Sequence, residues 1–177
     1  SKILKKNKFK NPLIVIASYN LLKKQIKFLR YRISINHIDK NFKDKELKLN
    51  KINLININFN FSKPFEKITS FSNEYNKKCF ELGLNLIRKK KFLGLINGPI
   101  SKKHLLKNKF SGITEFFAKK TNSKKFAMLI YNKNLAVSPI TTHVPVKKIS
   151  SLISRKKIIN QVQLIKNFYK KRFNKNP

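Results

Sequence analysis

Acidic residues are scarce in this sequence: 7 Asp and Glu stand against 42 Lys and Arg in 177 residues, a formal charge of +35. So strong an imbalance brings self-repulsion and nonspecific adhesion to polyanions. It also singles out the carboxylates that remain, and beyond Glu81 there is one, Glu115. Cysteine is nearly absent too. The lone Cys79 excludes an internal disulfide and fits a reducing, cytoplasmic setting. No apolar run approaches the roughly 20 residues that a membrane span needs, and no secretory signal pattern is present.

Glycine, alanine and arginine are few, whereas lysine travels with abundant Asn, Ile and Phe. The lysines are spread along the whole chain instead of forming one arm or one helix face. That distribution suggests biased coding more than a selected phosphate-binding surface, although a basic nucleic-acid-binding module remains the alternative that the charge supports. The length suits a domain of ordinary size. The sequence begins at Ser1 and reaches Pro177 straight after a basic helix, so both ends look cut and the chain reads as a segment of something longer.

Along the chain, Pro12 to Ala17 is a short apolar run of the kind buried on both faces of a sheet. Ser18 offers an N-cap to a helix on which Leu22, Ile26 and Leu29 recur. Tyr31, Ile33 and Ile35 alternate as a strand, and Asp39 to Lys51 is a charged, turn-rich connection of weak order. Ile55, Ile57, Phe59 and Phe61 alternate with asparagines as a half-buried strand ended by Pro64. A long helix from about Ser70 to Lys90 places Tyr75, Cys79, Leu82 and Leu86 on one stripe, with Cys79 as a core thiol. Phe92 to Ile96 reads as a further strand and Ser101 as the cap of a short helix. Another helix follows from Glu115. Strands at 126–131 and 135–140 meet at Asn132-Lys133-Asn134, and an amphipathic helix bears Ile158, Val162, Ile165 and Tyr169. Strands alternating with helices argue for a layered α/β fold.

Three clusters punctuate residues 92–145. In Asn97-Gly98-Pro99-Ile100-Ser101-Lys102 a glycine turn leads into a capped helix. There backbone N–H groups and Lys102 suit a phosphate, though a plain strand-to-helix turn has the same spacing. In Ser111-Gly112-Ile113-Thr114-Glu115 the glycine permits a backbone that other residues avoid. The carboxylate suits a site or, equally, a helix N-terminal charge opposing the macrodipole. In Thr141-Thr142-His143-Val144-Pro145 an imidazole follows a strand end. It suits a metal ligand or a structural histidine, and neither His37 nor His104 obviously supplies further ligands.

In this order and spacing the clusters resemble the 4-hydroxythreonine-4-phosphate dehydrogenase family of vitamin B6 biosynthesis. That family's run is a strand, a GP-x-x-K turn, a G-H-T-E segment and T-T-H-[LIV]-P. The corresponding residues are Gly98 to Lys102, Gly112 to Glu115 and Thr141 to Pro145. The resemblance implies a three-layer α/β/α architecture of the isocitrate and isopropylmalate dehydrogenase type, incomplete here at both ends. Residues 1–177 would then be one segment of a longer, two-domain, cytoplasmic homodimer. It implies oxidation of 4-phosphooxy-L-threonine, a phosphorylated hydroxy amino acid, by NAD or NADP, with decarboxylation to 3-amino-2-oxopropyl phosphate. It also implies a divalent metal (Zn, Mg or Co) held by three histidines from two subunits.

Residue by residue, His143 matches a metal ligand, Ile113 and Thr114 occupy substrate-contact positions, and Lys102 is the candidate for the substrate phosphate. The chain departs from the family at Ile113, where a histidine is expected and a side chain unable to hydrogen-bond stands instead. The family's opening glycine-rich turn is not found before Pro12. Its N-P-H-A-G-E and Y-H-D-Q-G motifs, which carry the other two metal histidines, lie outside the sequence. The segment alone is therefore expected to be inactive, and a decayed, non-catalytic member of the family is the further alternative.

Overall fold

The computed structural model describes residues 11–89, 92–106, 109–132 and 134–177. They form two compact units, one up to Leu105 and one from Leu106 to Pro177.

The first unit is built on a parallel three-stranded sheet. Strand β1 (Ile14–Ala17) leads through helix α1 (Tyr19–Phe28) to β2 (Ile35–His37), and β3 (Ile52–Asn56) then inserts between them in the order β1-β3-β2. Ile14 pairs with Asn53 and Ala17 with Asn56 on one side, and Ile35 pairs with Ile52 on the other. Being central, β3 is covered on both faces, and Ile52, Asn53, Leu54 and Ile55 are all buried. Asn53 is 0% exposed, and its carboxamide is fully used. Nδ2 donates to Leu13 O (3.1 Å) and Lys48 O (2.9 Å), while Oδ1 accepts from Lys48 N–H and Asn36 Nδ2, both at 2.8 Å. One buried amide thus ties all three strands to the connection that precedes β3.

That connection is better ordered than its composition suggests. Phe42 is buried within it, and Glu46 Oε1 accepts from Lys43 N–H at 2.7 Å around a short 3-10 turn, Asp44–Glu46. Ile38, Phe42, Ile55 and Leu86 form the core, with Ile14, Ile16, Leu47, Leu82 and Phe92 packed against it. Leu82 and Leu86 lie on the long helix α2 (Ser70–Lys89), and Lys90 lies outside the described residues. Gly83 lets α2 come close, since a Cβ there would sit 3.0 Å from Leu95 Cδ1 and 3.5 Å from Ile16 Cδ1. Farther up the helix, Tyr75 Oη accepts the Ser18 N–H at 2.7 Å. Burial pushes the Tyr75 hydroxyl well above its ordinary pKa, with Cys79 adding to the effect, and burial likewise raises the Cys79 thiol.

Three expected strands differ here. The strand expected at 55–61 lies upstream, at 52–56. Its pairing stops with Ile57 N–H to Ala17 O (3.1 Å), because Ser18 turns the neighbouring chain into α1, where its Oγ accepts from Leu21 N–H. The strand expected from Tyr31 begins only at Ile35. Arg30 is left-handed (φ 52°) and Tyr31 N–H bonds back to Ile26 O at 3.0 Å, so both belong to the end of α1. Phe92 to Ile96 forms no strand. No neighbouring strand pairs with it among the described residues, and Leu93 and Ile96 are 69% and 89% exposed. After it comes the short helix α3 (Lys102–Leu106), whose last residue opens the second unit.

The second unit holds helix α4 (Ile113–Lys120), a minimal hairpin of β4 (Ile130–Tyr131) and β5 (Ala136–Val137), a one-turn helix α5 (Ile149–Leu152) and the long helix α6 (Arg155–Phe173). The hairpin is shorter than the alternating runs suggest, as befits two strands without a third. Asn132 N–H closes it on Leu135 O at 2.9 Å, and Lys133 lies outside the described residues. Ser154 caps α6 and left-handed Asn174 ends it. Gln161 Nε2 fastens α6 to Ser138 Oγ (2.7 Å) and Pro139 O (2.9 Å). No residue of α6 is buried, and Ile158 and Val162 of the expected apolar stripe are exposed.

Candidate functional site

The second unit brings two of the three sequence clusters together. Gly112 is the N-cap of α4, with φ −161° and ψ 179°, an extended backbone open to any residue. Its glycine identity is therefore explained by space and not by backbone freedom, a correction to the sequence reading. A Cβ at Gly112 would lie 2.8 Å from Glu115 Oε2 and 3.3 Å from His143 Nε2. The carboxylate and the imidazole, 28 residues apart in sequence, approach the same point.

The approach has local causes. Glu115 sits in the first turn of α4, whose ladder starts with Phe116 N–H to Gly112 O at 3.2 Å. His143 adopts a left-handed backbone, φ 57°, which is uncommon for a residue with a Cβ. Such a conformation costs on the order of 1 kcal/mol and tends to be kept where a site needs it. Pro145 stiffens the chain immediately beyond, restricting Val144 to extended conformations. Thr142 Oγ1 donates to Glu115 Oε1 at 3.3 Å, so the residue next to the histidine orients the acid. Glu115 Oε2 is buried and has no hydrogen-bond partner among the described residues.

Ile113 and Thr114 are the first two residues of α4, both half-buried beside this cluster. Lys102 belongs to the other unit, as the exposed first residue of α3. The phosphate-binding turn expected around it is not formed as such. No strand leads into it, and Gly98 has open space around it and no left-handed φ. Ser101 Oγ is engaged with His104 Nδ1 at 2.7 Å instead of a helix N–H. What remains there is a cation on a helix of five residues.

The carboxylate and the imidazole both crowd Gly112 closely enough to exclude a Cβ there, and each is a donor type that suits a divalent cation. Among the described residues no group of three His, Cys, Asp or Glu could by itself enclose a metal ion. Sequence reasoning singled out Glu115 without giving it a place in the site, and it missed Thr142. The available signal was the solitary acid in a basic half-chain.

The first unit carries a second feature. Asn20, Lys23, Lys24 and Lys27 share one face of α1 and line an open cleft of about 660 Å³ with Phe59, Asn60 and Phe61. No acid lines it, and Lys24 Nζ lies 5.1 Å from the Phe61 ring centre.

Residues 8–177 match the family model described as "Pyridoxal phosphate biosynthetic protein PdxA". A 4-hydroxythreonine-4-phosphate dehydrogenase of Sulfurihydrogenibium sp. is 33% identical over 124 residues, covering 69% of this chain and 37% of that protein. The enzyme of the same name from Wigglesworthia glossinidia brevipalpis is 27% identical over 175 residues, covering 92% of this chain and 51% of its own length. The crystal structure of the Klebsiella pneumoniae 4-hydroxythreonine-4-phosphate dehydrogenase superposes with a TM-score of 0.75 at 19% identity, over 95% of this chain and 53% of that one. This likeness establishes the α/β fold with its parallel sheet. The chain spans about half the length, or less, of these proteins.

Proposed function

The chain belongs to the PdxA family of pyridoxal phosphate biosynthetic proteins, and from that premise we propose that it forms the metal-binding and part of the substrate-binding segment of a longer, two-domain 4-hydroxythreonine-4-phosphate dehydrogenase. The observation that carries the reading is the convergence of His143 Nε2 and the unpartnered Glu115 Oε2 above Gly112.

In this reading the substrate is 4-phosphooxy-L-threonine, oxidised and decarboxylated to 3-amino-2-oxopropyl phosphate by a cytoplasmic homodimer. His143 holds a divalent metal (Zn, Mg or Co), its left-handed backbone aiming the imidazole at the site. Thr114 offers a hydroxyl to the substrate and Lys102 a cation to its phosphate. Ile113 contributes only packing, so one polar contact made by its histidine counterpart is replaced by an apolar one. When bound, the metal supplies positive charge that acidifies the substrate hydroxyl and offsets the charge left by loss of CO2. NAD or NADP supplies the hydride acceptor.

The test is formation of NAD(P)H from 4-phosphooxy-L-threonine by the protein from the complete reading frame, beside a His143→Ala variant. Turnover that drops at least 100-fold in the variant supports the reading. A folded, metal-loaded protein without turnover would favour a non-catalytic family member.

A second reading rests on the cleft of Lys23, Lys24 and Lys27 with its two phenylalanines, which suits a polyanion. It requires that replacing these three lysines weakens oligonucleotide binding more than replacing three lysines elsewhere.

A further inference from the structure

We propose that Thr142 and Glu115 are positioning residues, whose hydrogen bond clamps the turn bearing His143 onto the first turn of α4 and so keeps the imidazole in a fixed place relative to Thr114. This rests on the reading of His143 and Thr114 as site residues. It adds the pair that joins their two segments, which lie far apart in sequence.

The turn needs such a tie. Residues 141–145 belong to no helix or strand and His143 is exposed, so neither a backbone ladder nor burial holds its ring. Its backbone is also left-handed, φ 57°, a conformation that the surroundings must maintain. The adjacent Thr142 reaches out: Oγ1 donates to Glu115 Oε1 at 3.3 Å, across 27 positions of sequence and in part-buried surroundings. Glu115 is a firm anchor, half-buried on a helix whose Phe116 and Ala118 are buried. Gly112 lets the two segments come close. A Cβ there would lie 2.8 Å from Glu115 Oε2 and 3.3 Å from His143 Nε2, so a larger residue would push both away.

The competing explanation is a helix-end role. A carboxylate in the first turn of α4 opposes the macrodipole wherever its tip points, and in a capping box it would turn back to the N-cap N–H. Here the oxygen that is bonded, Oε1, takes the Thr142 hydroxyl. The two roles make different demands of residue 115. Opposing the dipole requires a negative charge, whereas clamping Thr142 requires only an acceptor at the same reach.

The experiment uses the protein from the complete reading frame, metal-free and isotopically labelled in histidine, and follows the His143 ring signal, identified by its loss in His143→Ala. Thr142→Val keeps the shape and removes the donor. It is expected to shift or broaden that signal and to weaken Zn²⁺ binding, measured by calorimetry, about 10-fold or more. Glu115→Ala is expected to do the same, and the double variant to be no worse than the more affected single one. Thr142→Ser and Glu115→Gln keep a donor and an acceptor, and both are expected to leave the ring signal and the affinity near the parent. An unmoved signal in Thr142→Val overturns the proposal, as do losses that add in the double variant. A shift in Glu115→Gln as large as in Glu115→Ala also overturns it and assigns the acid to the helix dipole. Should Glu115→Ala lose its fold in a denaturation scan, Thr142→Val beside Thr142→Ser decides. Normal Zn²⁺ binding in His143→Ala would remove the reading of His143 as a ligand, while the ring signal would still decide the clamp.

Discussion

The two units use their residues differently. The first concentrates burial: β3 is covered on both faces, Asn53 has every polar group answered, and apolar side chains from α2 and the connection meet the sheet. The second buries few large side chains, and its longest helix buries none. Yet the second unit holds the left-handed His143 and the unanswered carboxylate oxygen. Satisfied polar groups and full packing mark a region that supplies stability. A left-handed residue away from a helix end and an orphaned polar atom both cost stability, and together they point to a region kept for binding.

This contrast can be broken at the amide that organises the first unit. Asn53→Ala would leave part-buried Lys48, Leu13 and Asn36 groups without their partner beneath the sheet. Denaturant unfolding should register a loss of about 4 kcal/mol or more. Retention of parental stability would mean that water reaches the strand and that its burial is overstated. A paired comparison sharpens the point. Leu54→Ala, at a fully buried position, should cost about 2–5 kcal/mol. Val162→Ala, on exposed α6, should change stability by less than about 1 kcal/mol. Equal effects would mean that α6 is covered in the full-length protein and that the units are more alike than they look.

The smallest expected effect concerns pH. The Tyr75 and Cys79 protons are held more tightly in the folded unit than in the unfolded chain. The stabilisation is complete below the ordinary cysteine value of 9.0 and diminishes as pH rises beyond it. Denaturation midpoints should therefore fall as pH rises from 9 to 11, less steeply in Cys79→Ala. An equally steep fall in the variant would assign the dependence to other groups.

Much of the frame could be read from the residues. The apolar run before Ser18, the cap that Ser18 makes and the stripe on α2 are local signals, and all appear in the structure. The position of β3 could not be read, because the Ile/Asn alternation runs on past its end. Where the strand stops is decided by Ser18, some forty residues earlier, which turns the neighbouring strand away. Phe92 to Ile96 has strand composition and no ladder to join. At the site, His143 and Thr114 were visible as motif positions. The bond from Thr142 to Glu115 and the crowding of both donors over Gly112 join residues nearly thirty apart, and no spacing rule encodes them. Ile113 and Lys102 remain where the motif puts them, with no contact that assigns either a role.

The order in which the strands enter the sheet also bears on how the chain acquires its shape. β1 and β2 are synthesised first but lie on opposite sides of β3, so neither can pair until Ile52–Asn56 arrives. A growing chain that has released both early strands still has no sheet. Its two ladders then close around one late segment, making residues 11–56 a single kinetic unit during translation. Until then the apolar runs of β1 and β2 lack the partner that each has among the described residues, and a pause before residue 52 would leave them open to aggregation.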